Sequence, residues 1–356
     1  MPMISVQKEI EKCFKCGMCR AVCPVLEAEN VEIVSPRAKV VLCEAVEAGR
    51  IGFSKTTLGI LDMCTGCQAC SLNCPSGTDP YALATLVRFE NKRAKPALLE
   101  PTGPVSSLLV HVLSNPQKNL DGLNRRRQRG SVRVGYFVGC VEANRLRAVP
   151  ENALTILENL GITVGVPEDQ VCCGWPYILV GRLDSARELA LRNKKAFEGF
   201  DVVLASCPHC ITTLSREYAS LLGIGAFGKV VKDVLRFLVE KDLDRLLTLE
   251  GNAPRTLYSH PCRMGRGKDK DMTHILFLRK HLGKSLIELD AELCCGAPLE
   301  LVSPALGRTI FERKMDRITH SGSSVVRSGC PFCVLAIGSG FDTPAKHVME
   351  DIRIAT

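Results

Sequence analysis

The chain has 356 residues, 46 % of them apolar and 24 % charged. That is enough for two or three domains with a sizeable core, and it excludes a disordered chain. The formal net charge of +8 counts nineteen cysteines as neutral. Two 4Fe–4S clusters held by eight thiolates carry about −2 each, which brings the balance to about +4 and removes the case for nucleic-acid binding.

The first residues, MPMISVQKEIEKC, hold no apolar run before charges appear, so no signal peptide is expected. The most apolar stretch, 105–113, contains serines and a histidine and is far short of the roughly 20 residues of a membrane span. A cytoplasmic location follows as the expectation. In a reducing compartment, patterned cysteines bind metal or do redox chemistry rather than form disulfides.

In chain order, the first motif is CFKCGMCRAVCP, with Cys13, Cys16, Cys19 and Cys23. SPRAKVVLCEAVEAGR then has the period of an amphipathic helix, in which Cys43 reads as a small buried core residue. The second motif, CTGCQACSLNCP, carries Cys64, Cys67, Cys70 and Cys74. Both motifs have the C-x2-C-x2-C-x3-C-P spacing of two-cluster ferredoxins. Three thiolates on one tight loop cap three irons. The fourth cysteine opens a helix, with proline suited to its first turn, and reaches the neighbouring cluster. Cys13, Cys16, Cys19 and Cys74 are therefore expected on one cubane, and Cys64, Cys67, Cys70 and Cys23 on the other. Zinc also uses C-x2-C pairs, but its four ligands leave the further cysteines of each motif without a task.

Residues 96–131 contain several prolines and the basic run NRRRQRG, and read as a linker. Within it, VSSLLVHVL is a short amphipathic stretch expected to pack on the protein or a partner. Ten further cysteines then form a repeat. Cys140, Cys172, Cys173, Cys207 and Cys210 recur as Cys262, Cys294, Cys295, Cys330 and Cys333, at offsets of 122 or 123 residues. The words VCCGWP and LCCGAP match, as do SCPHC and GCPFC, which marks an internal duplication. Each copy reads strand, helix, strand, helix, strand: VRVGYFVGC, ENALTILENLG, ITVGVP, RLDSARELALRNKKAFEG and DVVLASC in the first. This alternation predicts an α/β unit with a mainly parallel sheet. Ligands of such sheets gather beyond the carboxyl ends of the strands, where five thiols can converge. Adjacent cysteines fit two corners of one cubane poorly, whereas a bridging thiolate can join two iron–sulfur fragments. A cubane, a zinc ion or simply buried cysteines remain as other readings of these sets.

The C-x31-C-C-x33-C-x2-C set and its twin resemble the cysteine-rich CCG domains of heterodisulfide reductase subunits, glycolate oxidase iron–sulfur subunits and lactate-utilisation proteins. The whole chain resembles this family. The resemblance implies an α+β multidomain fold: an α-helical ferredoxin domain with two 4Fe–4S clusters over 1–95, a linker over 96–131, and CCG domains over 132–250 and 251–356. It implies one or two further clusters, cubane or noncubane, on Cys140, Cys172, Cys173, Cys207 and Cys210 and on Cys262, Cys294, Cys295, Cys330 and Cys333. It also implies an oxidoreductase subunit that takes electrons from an FAD-containing 2-hydroxy acid dehydrogenase subunit or another redox subunit. Any membrane contact would be peripheral, through a partner. The alternative is a heterodisulfide-reductase-like subunit that cleaves a disulfide at noncubane clusters. No nucleotide- or flavin-binding glycine motif is present, and GIGAFGK at 223–229 reads as a loop. His209 and His260 are the candidates for a catalytic or thiolate-bonding role. Arg263 and Arg266 flank Cys262 as candidates for balancing charge.

Overall fold

The structure, a computed structural model, describes residues 4–91, 100–123, 133–225, 227–228, 230–250, 255–265, 270–289, 293–340 and 343–355. The basic run at 124–130 and Arg266 lie outside them.

The N-terminal part is helical. Ser35 caps the helix Pro36–Glu47 by accepting from the Ala38 N–H, and proline stands in its first turn, where its missing donor costs nothing. Val40 and Cys43 face inward, with Cys43 fully buried and its thiol pushed up to about 12 by burial. Asp79 caps the helix Pro80–Glu90 in the same manner. That helix is buried over most of its length because it packs between Val6–Lys12 and Pro36–Glu47. Cys23 precedes Pro24 at the head of the helix Pro24–Glu29, as expected. Cys74 does not open a helix. Ser76, Gly77 and Thr78 turn the chain, Gly77 at φ +70°, and the next helix waits for its Asp79 cap.

The rest of the chain is two copies of a parallel four-stranded sheet. The first has strands β1 (Val134–Tyr136), β2 (Val164–Gly165), β3 (Val202–Ala205) and β4 (Val230–Asp233), in the order β2-β1-β3-β4. A trailing strand β5 (Leu247–Leu249) follows. The second sheet has β6 (Thr256–Tyr258), β7 (Leu286–Glu288), β8 (Val325–Ser328) and β9 (Ala345–His347), ordered β7-β6-β8-β9. Its trailing strand, β10 (Ile352–Ile354), pairs antiparallel with β5. The chain leaves β1 towards β2 and returns past it to β3. The crevice between the carboxyl ends of β1 and β3 is thus a topological switch point, the usual ligand position of such sheets. Cys140 and Cys207 follow these two strands, and Cys262 and Cys330 follow β6 and β8.

Residues 104–114, inside the stretch read as a linker, form a helix with five apolar side chains buried. The Glu300 carboxylate accepts from the Ser106 N–H at 3.0 Å near its N-terminus. The Tyr177 hydroxyl donates to the Val112 and Leu113 carbonyls at 3.0 and 3.1 Å near its end. One repeat holds each end, so this helix is an element of the CCG pair. Among the described residues no helix is long and apolar enough to cross a membrane.

Candidate metal centres

The two N-terminal loops turn sharply so that thiols converge. Lys15 and Gly17 take φ of +57° and +86°, and Gly66 and Gln68 take +65° and +62°. The Gly66 N–H points at Cys64 Sγ, 3.4 Å away. Cys23, Cys64, Cys67 and Cys70 line one cavity, together with Lys39 and Tyr81. The Cys23 thiol is pushed up to about 11, first by burial and then by the charges of Cys67 and Cys64, while Lys39 draws it down. The Cys19 thiol is pushed to about 11 by burial and by Cys13, Cys74 and Cys16. Each group therefore combines three cysteines of one motif with the fourth of the other. Thiols that raise one another form an uncompensated anionic group once ionised, and bound iron supplies the missing positive charge. Among the described residues no three His, Cys, Asp or Glu side chains stand where a single metal ion can take them all. The donor sets suit a multi-iron cluster better than one zinc ion.

The first group lies at the surface. Cys16 is exposed, and Phe14 and Met18 beside it are 77 % and 59 % exposed. The second group adjoins the CCG repeats.

All ten CCG cysteines are buried. In the first repeat the thiols touch in succession: Cys140 with Cys172, Cys172 with Cys173, Cys173 with Cys210, and Cys210 with Cys207. In the second, Cys295 contacts Cys294 and Cys333, the latter at 3.6 Å between sulfurs, and Cys333 contacts Cys330. Cys262 shares an apolar cluster with Cys294 and with Cys67 of the N-terminal part. The glycine after each cysteine pair is required by geometry. Gly174 and Gly296 have φ of +91° and +68°, and a Cβ on Gly296 would stand 2.3 Å from the Gly307 carbonyl oxygen.

His209 is buried between the Trp175 and Phe332 rings, with centroids 4.1 and 4.8 Å away. Burial and the Arg263 charge hold its imidazole well below the usual range, and its Nδ1 has no partner among the described residues. His260 is pushed down to about 4, chiefly by burial.

Arg263 holds the parts together. Its Nη2 donates to Glu217 at 2.8 Å, with both side chains almost wholly buried, and its Nε donates to the Gly66 carbonyl at 2.9 Å. Gln68 and Thr213 complete the Glu217 carboxylate, each at 2.6 Å. The second N-terminal cysteine loop, the first repeat and the second repeat thus meet on one ion pair. Glu217, Gln68 and Trp175 carry no sequence motif; only the position of Arg263 next to Cys262 hinted at this junction. Nearby, a cleft opens between Pro208 and Met264, lined by Arg216, Lys232 and Arg236.

The folded thiol groups define an iron–sulfur protein. The 4Fe-4S dicluster domain model matches residues 9–78, and the CCG cysteine-rich domain model matches 134–215 and 256–338. The chain belongs to the CCG-domain iron–sulfur protein family, in the branch with an N-terminal dicluster ferredoxin domain. It is 27 % identical to a fumarate reductase (CoM/CoB) subunit of Methanothermobacter marburgensis, over 98 % of this chain and 71 % of that protein. It is 24 % identical to the probable glycolate oxidase iron–sulfur subunit of Bacillus subtilis, over 94 % of this chain and 89 % of that one. The glycolate oxidase iron–sulfur subunit of Escherichia coli is 22 % identical, over 97 % and 94 %. A crystal structure of a hypothetical protein from Helicobacter pylori shares the fold at TM-score 0.53 and 11 % identity, covering 98 % of this chain and 72 % of that one. The chain is an oxidoreductase-type iron–sulfur protein, and these relatives are named as subunits of redox enzymes.

Proposed function

We propose that this chain is an electron-relay subunit of a 2-hydroxy acid oxidising complex. It takes electrons from an FAD-containing dehydrogenase subunit and passes them between its iron–sulfur centres to an acceptor. In this reading Cys13, Cys16, Cys19 and Cys74 hold one 4Fe–4S cubane, and Cys64, Cys67, Cys70 and Cys23 hold the second. Cys140, Cys172, Cys173, Cys207 and Cys210, and the matching set from Cys262 to Cys333, hold one or two more clusters. Bound clusters supply one-electron acceptance and donation; the protein supplies position and electrostatics.

The observation that carries the reading is the Arg263 junction. Cys262 is followed directly by a buried arginine bonded to Gly66, inside the loop of Cys64 and Cys67. This contact fixes the distance between a ferredoxin site and a CCG site and keeps water from between them. The exposed Cys16 site, with Phe14 and Met18 around it, is the natural face for a redox partner. The glycolate oxidase relatives are aligned over nearly the whole chain, in agreement with this reading.

The test is anaerobic purification from the native host, followed by addition of glycolate or D-lactate. Co-elution of a flavoprotein and bleaching of cluster absorbance by the hydroxy acid support the relay. A flavin-free preparation that hydroxy acids leave oxidised overturns it.

The basic cleft beside Cys207 and Cys262 favours a second reading, disulfide cleavage at the CCG sites on an anionic substrate, and the fumarate reductase relative is named for thiol coenzymes. Reoxidation of dithionite-reduced protein by an anionic disulfide, lost in Cys173→Ser and Cys295→Ser, would support that reading over the relay.

A further inference from the structure

Two lysines among the described residues are buried, Lys39 and Lys314, at 5 % and 1 % exposure. Both stand at cysteine sites. Lys39 lines the cavity of Cys23, Cys64, Cys67 and Cys70, and its Nζ donates to the Met63 carbonyl, the residue before Cys64. Lys314 Nζ donates to the Leu293 carbonyl at 3.3 Å, the residue before Cys294. A third lysine, partly buried, repeats the arrangement at the remaining CCG site. Lys118 Nζ donates to the Val138 carbonyl, two residues before Cys140, and to Gln170 Oε1 at 3.0 Å. It lies 3.7 Å from the centre of the Phe137 ring. The neighbouring Pro116 carbonyl accepts from the Cys172 N–H at 2.9 Å, so this segment is bound onto the site itself.

The three lysines come from unrelated elements: one from the ferredoxin part, one from the stretch ahead of the repeats, and one from the second repeat's long helix, Pro304–Ser321. The duplication therefore does not explain them. Burying an ammonium is costly unless it is paired. Among the described residues, Lys39 and Lys314 form no ion pair with a carboxylate. Their charges instead act on sulfur: Lys39 on Cys23 and Lys314 on Cys333. Burial pushes the Lys118 ammonium down, while Cys210, Cys172, Cys173 and Cys140 hold it up. The surface site of Cys13, Cys16, Cys19 and Cys74 differs. Its nearby cations Lys12, Lys15, Arg20 and Arg37 are partly exposed and matched by Glu9, Glu44 and Glu32.

We infer that Lys39, Lys118 and Lys314 are fixed counter-charges that raise the reduction potentials of the three interior cysteine sites. The inference rests on the reading that these sites hold iron–sulfur clusters. A cluster in a low-dielectric interior resists the added negative charge of one electron. An ammonium anchored on the adjacent backbone offsets that penalty without taking up a proton, so all sites stay reducible in one potential range. These are positioning residues, since they act on the cluster's charge and hold no iron.

The test is an EPR-monitored redox titration of the whole, anaerobically purified chain, with iron and sulfide counted in the same samples. Lys39→Gln, Lys118→Gln and Lys314→Gln keep a donor for the carbonyl and remove the charge. The expected result is an unchanged iron count and a downward shift in midpoint potential confined to the cluster beside the changed lysine. Unshifted potentials, or one equal shift of every cluster, overturn the inference. Where a Gln variant loses iron, Lys→Arg at that position decides. Iron and potential restored by arginine support a charge role, and iron lost again overturns it. Absence of iron from the unaltered protein would instead refute the cluster reading, so the two failures are distinguishable.

Discussion

The two CCG repeats share strand order, cysteine spacing and the left-handed glycine after the cysteine pair, but the neighbours of the sulfurs differ. His209 stands where the second repeat has Phe332, Trp175 where it has Ala297, and Asp233 at the end of β4 where His347 ends β9. The His209 and Phe332 rings meet at 4.8 Å. Equivalent positions of a duplicated unit converge at the axis relating the copies, and a packed interior has no room for two identical large groups there. Duplication thus kept what faces the sulfurs and turns the backbone, and forced divergence where the copies touch. The two cysteine sites share a frame but differ in chemical surroundings.

Removing one thiol from each repeat probes that frame most strongly. Cys173→Ser and Cys295→Ser are each expected to empty one site, a loss of about four irons per chain, with the other repeat's iron retained. Loss of all iron in either variant would show that the repeats do not load independently. The next largest effect belongs to Arg263, through which both repeats hold the ferredoxin loop. Arg263→Ala leaves Glu217 buried without its cation and is expected to lower stability by about 3–5 kcal/mol, read as a fall in melting temperature. It should also weaken magnetic coupling between the adjoining clusters in EPR.

The glycines sharpen the comparison. Gly174→Ala meets the Ala186 carbonyl at 3.3 Å, whereas Gly296→Ala meets the Gly307 carbonyl at 2.3 Å. Both incur the left-handed strain of about 1–2 kcal/mol, and Gly296→Ala is expected to melt well below Gly174→Ala. Equal melting temperatures would mean that the second repeat yields as easily as the first.

The smallest effect is a pH dependence that the repeats do not share. Burial pushes His347 down to about 4, against about 6.5 in an unfolded chain. The unfolded state then binds more protons between these values, so stability is full above pH 6.5 and drains as pH falls. The drop by pH 5.5 is at most about 1.4 kcal/mol. Asp233, its counterpart, is raised by burial but held lower overall by the His274 charge and hydrogen bond. Its contribution survives until pH falls below the ordinary carboxylate range. His347→Asn is therefore expected to flatten the decline in melting temperature between pH 6.5 and 5.5, with Asp233→Asn leaving that slope in place.

Cysteine spacing made the thiol groupings and the duplication legible in the sequence, because iron demands fixed intervals. Strands β1, β3, β6 and β8 were legible because each is a short, fully or mostly buried apolar run. β4 and β9 were not. V-V-K-D and A-K-H mix charge with apolar residues because these strands sit at the sheet edge, with Val230 half exposed. The β5–β10 pair was hidden for another reason: its partner strands belong to different repeats, and no local pattern records such pairing. The helix 104–114 passed for linker because its apolar face meets both repeats rather than a neighbour in sequence. Lys39, Lys118 and Lys314 look like any solvated lysines until the fold brings them to sulfur.

Iron and sulfide content, with EPR of the anaerobically reduced chain, asks most directly whether ferredoxin and CCG sites form one connected iron–sulfur relay. A connected relay holds more than about eight irons per chain, with cluster signals broadened by coupling across the Arg263 junction. Eight irons or fewer, with narrow uncoupled signals or with zinc at the CCG cysteines, would contradict it.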